Sequence, residues 1–260
     1  MTQERWRYID SGSCTGATNM ALDQAIFESH AQGIQPPTLR VYAWRPSAVS
    51  LGRFQRVDFS VNLEACRTLG VDIVKRPTGG RAILHTEKEV TFSIAVSKQR
   101  LGTRGVMDSY RALATAIVTS MRGLGLNARL VERASPTRPP LAAQDPACFA
   151  VKARCDLIVG TSKLVGSAQV QREGFILQQN SLPLEIPLED WQGVFLRKNE
   201  APAAVGLWDA AGEKISCSRV GIALRDGFAE TFGVVMEKAK PSQAERARAR
   251  ELEGRVLVNT

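Results

Sequence analysis

Residues 145–181, DPACFAVKARCDLIVGTSKLVGSAQVQREGFILQQNS, decide how this chain is read. Leu157-Ile158-Val159, Leu164-Val165 and Phe175-Ile176-Leu177 are short apolar runs, separated by Gly160-Thr161-Ser162 and Arg172-Glu173-Gly174. Runs of this kind bounded by turn residues predict three successive antiparallel strands, with Lys163 entering the middle one. That strand contains Gly166-Ser167-Ala168. Small residues inside a strand give up packing, so they mark a close approach to the backbone, either by a substrate or by a bulge or tight sheet contact. Two reactive side chains lie in the same stretch. One is Lys163; the other is Cys148, just after a Pro-rich run, 135–146, that is neither helix nor central strand.

Working outward, the chain is long enough, at 260 residues, to bury a full core as one domain or two small ones. No apolar run reaches the roughly 20 residues of a membrane span, and MTQERWRYIDSG at the start has no apolar signal core. A cytoplasmic protein is expected. Cys14, Cys66, Cys148, Cys155 and Cys217 form no CxxC pair, and only His30 and His85 are available as imidazoles, which argues against a disulfide framework, a zinc site or any other metal. The net charge of +8 leaves three readings: nucleic acid, an acidic protein partner, or surface bias. There is neither a zinc-finger spacing nor an RNP-like aromatic motif, so an acidic protein partner is at least as economical.

Upstream, a strand is expected over 6–9, a helix over 19–31 capped by Thr18, strands over 39–43 and 48–51, and a helix over 63–69 stopped by Gly70. A strand over 71–74 leads into Lys75-Arg76-Pro77-Thr78-Gly79-Gly80-Arg81. The Gly pair allows a sharp turn with exposed N–H groups flanked by positive charge, a loop able to hold a phosphate, a carboxylate or an acyl carbonyl, though Thr-Gly-Gly is equally a plain hairpin turn. It lacks the P-loop consensus. Residues 82–84 and 90–96 read as a hairpin. Tyr110, Leu113, Ile117, Met121 and Leu124 mark a helix over 107–124, and 188–196 and 218–232 give two more. The end, SQAERARARELEG, reads as charged all round, a solvated helix or a frayed tail. The expected division is a catalytic body, 1–235, and this helix or tail, 236–260.

Four motifs then point to a family. NMALD at 19–23, RPTGGRAILH at 76–85, KLVGSAQ at 163–169 and ILQQNSLPL at 176–184 resemble, in order, the superfamily of lipoate–protein ligases, octanoyltransferases and biotin–protein ligases. The resemblance covers roughly 5–235. It implies an α/β (α+β) fold with a mixed, largely antiparallel sheet packed by helices, like the catalytic domain of class II synthetases. Cys148-Phe149 upstream of KLVGSAQ is similar to octanoyltransferases that use a cysteine nucleophile. The resemblance therefore implies that Cys148 accepts the acyl group and that Lys163 is the active-site lysine. It also implies that Arg76, Gly79, Gly80 and His85 line the acyl pocket, opposite a strand carrying Gly166, Ser167, Ala168 and Gln169. Lys75, Thr86, Ala150 and Asn180 depart from the common pattern; Asn180 stands where Gly is frequent, and Asn tolerates a left-handed backbone.

The implied reaction moves an octanoyl or lipoyl group from acyl carrier protein to a lysine of a lipoyl domain or of the glycine-cleavage H protein, with no cofactor, nucleic acid or membrane involved. A thioester donor is already activated, so ATP is not required. A free thiol with a pKa near 8.5 is only slightly ionised at neutral pH, and a neighbouring ammonium such as Lys163 would favour the thiolate and steady the oxyanion. The other readings are an ATP-dependent lipoate–protein ligase, an amidotransferase between lipoyl domains, and a non-catalytic binding module. Cys14, Cys66 and Cys217 are expected to be buried small hydrophobes, Cys155 a filler, and His30 a surface helix residue. Lys163 as a solvated strand-edge residue and His85 as a local hydrogen-bonding residue are the plain alternatives to their site roles.

Overall fold

The computed structural model describes residues 3–131, 155–196 and 204–258. Cys148 lies outside them. The strands are β1 (Arg5–Cys14), β2 (Thr38–Trp44), β3 (Ala48–Leu51), β4 (Asp72–Lys75), β5 (Ile83–His85), β6 (Glu89–Ser97), β7 (Ala128–Leu130), β8 (Leu157–Val159), β9 (Ser162–Arg172), β10 (Phe175–Pro183) and β11 (Val235–Lys238). The helices are α1 (Gly16–Ala31), α2 (Leu63–Leu69), α3 (Lys98–Leu101), α4 (Val106–Gly123), α5 (Leu188–Val194), α6 (Leu207–Ala211), α7 (Cys217–Phe232) and α8 (Gln243–Val256).

Eight strands form one sheet in the order β11-β1-β2-β6-β10-β9-β8-β7. Only β1 runs parallel to its neighbours, β2 and β11; the pairings from β2 to β7 are antiparallel. The expected meander of three strands is β8-β9-β10. A second sheet of three strands has the order β4-β3-β5. The fold is thus the mixed, largely antiparallel one expected.

Strand periodicity sorts the core. On β6, Val90, Phe92, Ile94 and Val96 face one layer with α4 and α7, while Ala95 faces the other with α1 and α8. A central strand covered on both faces reads as a continuous buried run, which β6 is up to its last residue.

Three local details differ from the sequence reading. Residues 83–85 and 89–97 are not a hairpin. β5 pairs with β3 in the small sheet, and β6 lies between β2 and β10 in the large one. The short connection carries the chain from one sheet to the other, and the His85–Glu89 side-chain bond closes it. Helix α1 starts earlier, because Thr15 rather than Thr18 is the cap and accepts from the Thr18 N–H. Asn180 sits in extended β10 and does not use a left-handed backbone.

The C-terminal segment is neither frayed nor charged all round. Glu245, Ala249, Leu252 and Val256 form a buried stripe on α8, at helical spacing, packed against α1. Ser242 and Glu245 form a capping box. Arg7 grips Glu245 through two hydrogen bonds of 3.0 and 2.6 Å. Burial pushes the Glu245 carboxyl up, but the Arg7 bonds and the Ser242 backbone N–H outweigh it and hold the group below its ordinary value. β11 also crosses residue 235, joining the large sheet through β1.

Candidate active site

The two sheets meet over a small cavity of about 20 Å³. Its walls come from α1 (Met20), β2 (Tyr42, Trp44), β3 (Ser50), β5 (Ile83, His85), β6 (Thr91), β9 (Ala168) and β10 (Gln179, Ser181), with Arg76 from the loop after β4. Chain order scatters these residues; the sheet topology gathers them.

Beneath the cavity is a carboxylate that serves as a hub. Asp23 of α1 is fully buried and ion-paired to fully buried Arg40 at 2.7 Å. It also accepts from Tyr42 Oη, Ser93 Oγ and Gln179 Nε2 at 2.7, 2.7 and 2.8 Å. Arg40 in turn donates to the Asn19 side chain at 2.7 Å. Both carboxylate oxygens are used twice, which compensates a charge that burial alone would not tolerate. Burial, reinforced by the nearby Asp23 charge, pushes the Tyr42 phenol well above its usual range and keeps it a donor.

The network continues across the cavity floor. Gln179 Oε1 accepts from Thr78 Oγ1 at 2.8 Å, and Thr78 Oγ1 accepts from Arg76 Nε at 3.1 Å. Arg76 is buried and turned into its own loop, donating to the carbonyls of Ser50, Gly79 and Arg81 at 2.7–2.8 Å. It thereby shapes the loop. Gly80 has φ +91, and a Cβ there would lie 3.0 Å from the Arg76 guanidinium and 3.7 Å from the Ala168 Cβ. Gly52 is needed on the loop's other side, since its Cβ would meet the Gly80 carbonyl oxygen at 2.0 Å. One hydrogen-bonded chain therefore joins three separate motifs: NMALD, RPTGGR and ILQQNS.

His85 is fixed on three sides. Its Nε2 contacts Ser50 Oγ at 2.8 Å, its Nδ1 contacts Glu89 Oε1 at 2.7 Å, and its ring stacks on Trp44 at 3.9 Å and 9°. Trp44 Nε1 donates to Thr91 Oγ1 at 2.7 Å, and Thr91 donates to Glu89. This makes His85 a rigid cavity wall.

On the strands opposite, register decides which residues face in. Ala168 pairs with Gln179, and Gly166 with Ser181, so these positions share the cavity side. Ser167 faces the other way and donates to Asn180 Oδ1 at 2.8 Å. Gln169 shares that side and bonds Gln178 and Ser109. Thus Arg76, His85 and Ala168 line the cavity, Gly79 and Gly80 form its loop, Gly166 sits opposite Ser181, and Ser167 is not brought to it.

Lys163 is buried, 3 % exposed, and is not a solvated edge lysine. Its Nζ pairs with Asp156 Oδ2 at 2.9 Å. It stands three positions before Gly166 on β9, toward the end of the strand where Val205 N–H meets the Lys163 carbonyl. The chain leaves the described body after Val131 and returns at Cys155, and these two residues are joined by a backbone bond of 3.1 Å. Asp156 N-terminal to β8 is the next residue.

The remaining expected placements fare unevenly. Cys66 is core, with its thiol pushed up to about 11 by burial. Cys14 is half-buried and Cys217 exposed, so neither is a core residue. Cys155 is half-buried with φ +69. His30 is buried, not at the surface; its Nδ1 meets the Gln35 carbonyl at 2.9 Å, and burial lowers its pKa. Asp23, Gln179, Asp156 and Ser181 were missed as site residues. An acid among the apolar positions of NMALD and a polar pair inside ILQQNS were the available signals for the first two. Ser181 is 2 % exposed, and its Oγ has no hydrogen-bond partner among the described residues while the residue lines the cavity. Among the described residues no helix is long and apolar enough to cross a membrane, and no cluster of His, Cys, Asp and Glu could hold a metal.

Comparison with known proteins gives a consistent picture. Residues 15–210 match the family described as the lipoyl protein ligase A/B catalytic domain. Octanoyltransferase LipM of Kyrpidia tusciae is 38% identical, covering 98% of this chain and 97% of its own. Octanoyltransferase LipM of Bacillus subtilis is 31% identical over 94% of this chain and 92% of its own. Among solved structures, a lipoate-protein ligase A bound with ATP superposes with a TM-score of 0.78 at 25% identity, covering 97% of this chain and 95% of its own. A bipartite lipoate protein ligase from Thermoplasma acidophilum, at 23% identity, shares the fold with a TM-score of 0.77 over 96% of this chain and 92% of its own.

Proposed function

The chain belongs to the lipoyl protein ligase A/B catalytic-domain family, and from that membership we propose that it is a protein N-octanoyltransferase of lipoate biosynthesis acting through Cys148. The observation that carries octanoyl transfer is near-full-length identity to relatives named octanoyltransferase. The donor in this reading is octanoyl-acyl carrier protein. The acceptor is a lysine of a lipoyl domain or of the glycine-cleavage H protein, and the setting is the cytoplasm. The boundary expected at residue 235 falls inside β11, so the catalytic body in this reading takes in β11 and α8.

The Cys148 thiolate attacks the donor's carbonyl carbon, the carrier thiolate leaves, and an octanoyl-Cys148 thioester remains. The neutral acceptor amine then attacks that carbonyl, the C–S bond breaks, and the amine's proton ends on the Cys148 sulfur. Splitting one transfer in two is the gain from a covalent nucleophile. Lys163 supplies positive charge for the thiolate and for the oxyanion of both tetrahedral intermediates. Its pairing with Asp156 supports this role, because a buried ammonium needs an anion to stay charged. The acyl chain in this reading enters between the sheets, against Trp44, His85 and Ala168, and the walls part to admit it, since the cavity of about 20 Å³ has room for little more than one water.

A second reading, an ATP-dependent ligase, is favoured by the likeness to the ATP-bound ligase. The test is transfer to a lipoyl domain with octanoyl-carrier protein as sole donor and ATP omitted. Turnover is expected. Modification seen only with free octanoate and ATP would replace the transferase reading with the ligase.

A further inference from the structure

Simple alternation along β9 would point Lys163 away from the acyl cavity. Side chains change face at every step of a strand. Gly166 and Ala168 share the cavity side with Ser181 and Gln179, so three regular steps back from Gly166 would reach the opposite face, which packs on α4 and α7. The pairing with β8 breaks that rhythm. Leu157 of β8 stands opposite Val165, its neighbour Ile158 opposite Lys163, and Val159 opposite Ser162. One step on β8 therefore spans two on β9, and Leu164 is the extra residue of a β-bulge. Leu157, Leu164 and Val165 all pack into the layer of α4 and α7. Residues paired across a ladder share a face, so Lys163 lies with Ile158 on the other side, the face of Gly166 and Ala168. Asp156, two residues before Ile158, falls on that face as well. Its carboxylate meets the Lys163 ammonium at 2.9 Å, with both side chains buried. From the other edge the Val205 N–H donates to the Lys163 carbonyl at 3.0 Å.

We propose that the bulge at Leu164 aims Lys163 at the acyl cavity and that Asp156 is the positioning residue that holds it there. The inference rests on the transferase reading above and assigns the parts that set the geometry of its lysine. Bulges beside active sites re-aim side chains. Here the extra residue puts an ammonium on the cavity face, whereas a regular strand would drive it among the apolar side chains of the α4 and α7 layer, at a high desolvation cost. Backbone placement alone does not fix the charge, because lysine carries its ammonium on a flexible four-carbon stem and loses much rotamer freedom when ordered. A buried carboxylate on the neighbouring strand gives that stem one destination. Asp156 acts through Lys163 and does not touch the substrate.

The test is single-turnover acylation of the full chain by a small octanoyl thioester. Asp156→Asn keeps the side chain's shape and removes its charge. The maximal rate is expected to fall about 100-fold, the cost of a misplacement of about 1 Å at a reacting centre, with the half-saturating thioester concentration nearly unchanged. Asp156→Glu keeps the anion and should recover most of the lost rate. A folded Asp156→Asn with the wild-type rate overturns the proposal. So does a loss carried by the half-saturating concentration alone, or one equal in Asp156→Asn and Asp156→Glu, as a packing role would give. The aim of the strand is read without the reaction in two proteins built on Cys148→Ala, one with Lys163→Cys and one with Leu164→Cys. Each is treated with octyl methanethiosulfonate and mapped by peptide mass. The thiol introduced at 163 should be modified several-fold faster than the one at 164, and free octanoate should slow it. Equal rates, or faster modification at 164, overturn the bulge assignment even where Asp156→Asn fails to fold. Absence of acylation in the wild type would remove the transferase reading instead, and the thiol rates would still decide which way Lys163 faces.

Discussion

Two buried ion pairs, Arg40–Asp23 and Lys163–Asp156, look alike as bonds and differ in their settings. Their N–O distances are 2.7 and 2.9 Å, and the side chains are at most 9% exposed. Asp23 gathers donors from β2, β6 and β10 onto one α1 carboxylate, all within the rigid body beneath the cavity. Lys163–Asp156 stands one residue from the backbone bond between Cys155 and Val131. The first pair fixes where the cavity walls stand. The second, in the proposed reaction, supplies the charge that the chemistry uses. Desolvation makes both costly, so each persists for a reason, and the reasons separate under mutation.

The largest effect is expected at the hub. Asp23→Asn leaves Arg40 buried without its counter-charge, and breaking a buried pair from one side costs about 3–5 kcal/mol. The denaturation midpoint should drop sharply, whatever donor is assayed. A near-native midpoint would deny Asp23 its architectural role.

The next effect is kinetic. Lys163→Ala should slow single-turnover acylation about 100- to 1,000-fold, the usual cost of one oxyanion donor. Lys163→Arg should rescue poorly, because a planar guanidinium does not reproduce a compact ammonium. Folding checked by circular dichroism separates this from collapse of the site. Wild-type rates in a folded Lys163→Ala would reduce the second pair to a structural one and pass the activating role to His85.

Much of this comparison was legible in the sequence, and the limits were physical. Strand and helix positions followed from periodicity and punctuation: α2 with its Gly70 stop and the β8-β9-β10 meander carry their signals locally. The partner of β5 did not, because Ile83–His85 has the same pattern whether it pairs with β6 or with β3. Motifs singled out the RPTGGR loop, which the structure places at the cavity, and Lys163, which it shows buried; Cys148, singled out in the same way, lies outside the described residues. Asp156 was not, since only the fold brings it to Lys163. For α8 the many charges of AERARARELEG masked the stripe through Ala249, Leu252 and Val256. Ser167 was grouped with its neighbours, although alternation along a strand sends it to the other face.

The smallest effect sharpens the boundary between the two regions. Ser181 lines the cavity with a buried hydroxyl that has no partner among the described residues. Ser181→Ala removes an already unsatisfied group, so stability should hold or rise slightly. If the hydroxyl meets the acyl substrate, KM for a small octanoyl thioester should rise a few-fold with kcat nearly kept, as for loss of uniform binding. A destabilised variant with unchanged KM would place Ser181 with the hub instead.

The most direct test of the central claim is the intact mass of the protein after incubation with octanoyl-carrier protein, without ATP, in wild type and Cys148→Ala. The account predicts one octanoyl adduct on the wild type, mapped to Cys148 by peptide analysis and labile to hydroxylamine, and none on the variant. An adduct on folded Cys148→Ala, or full octanoyl transfer by that variant, would contradict it.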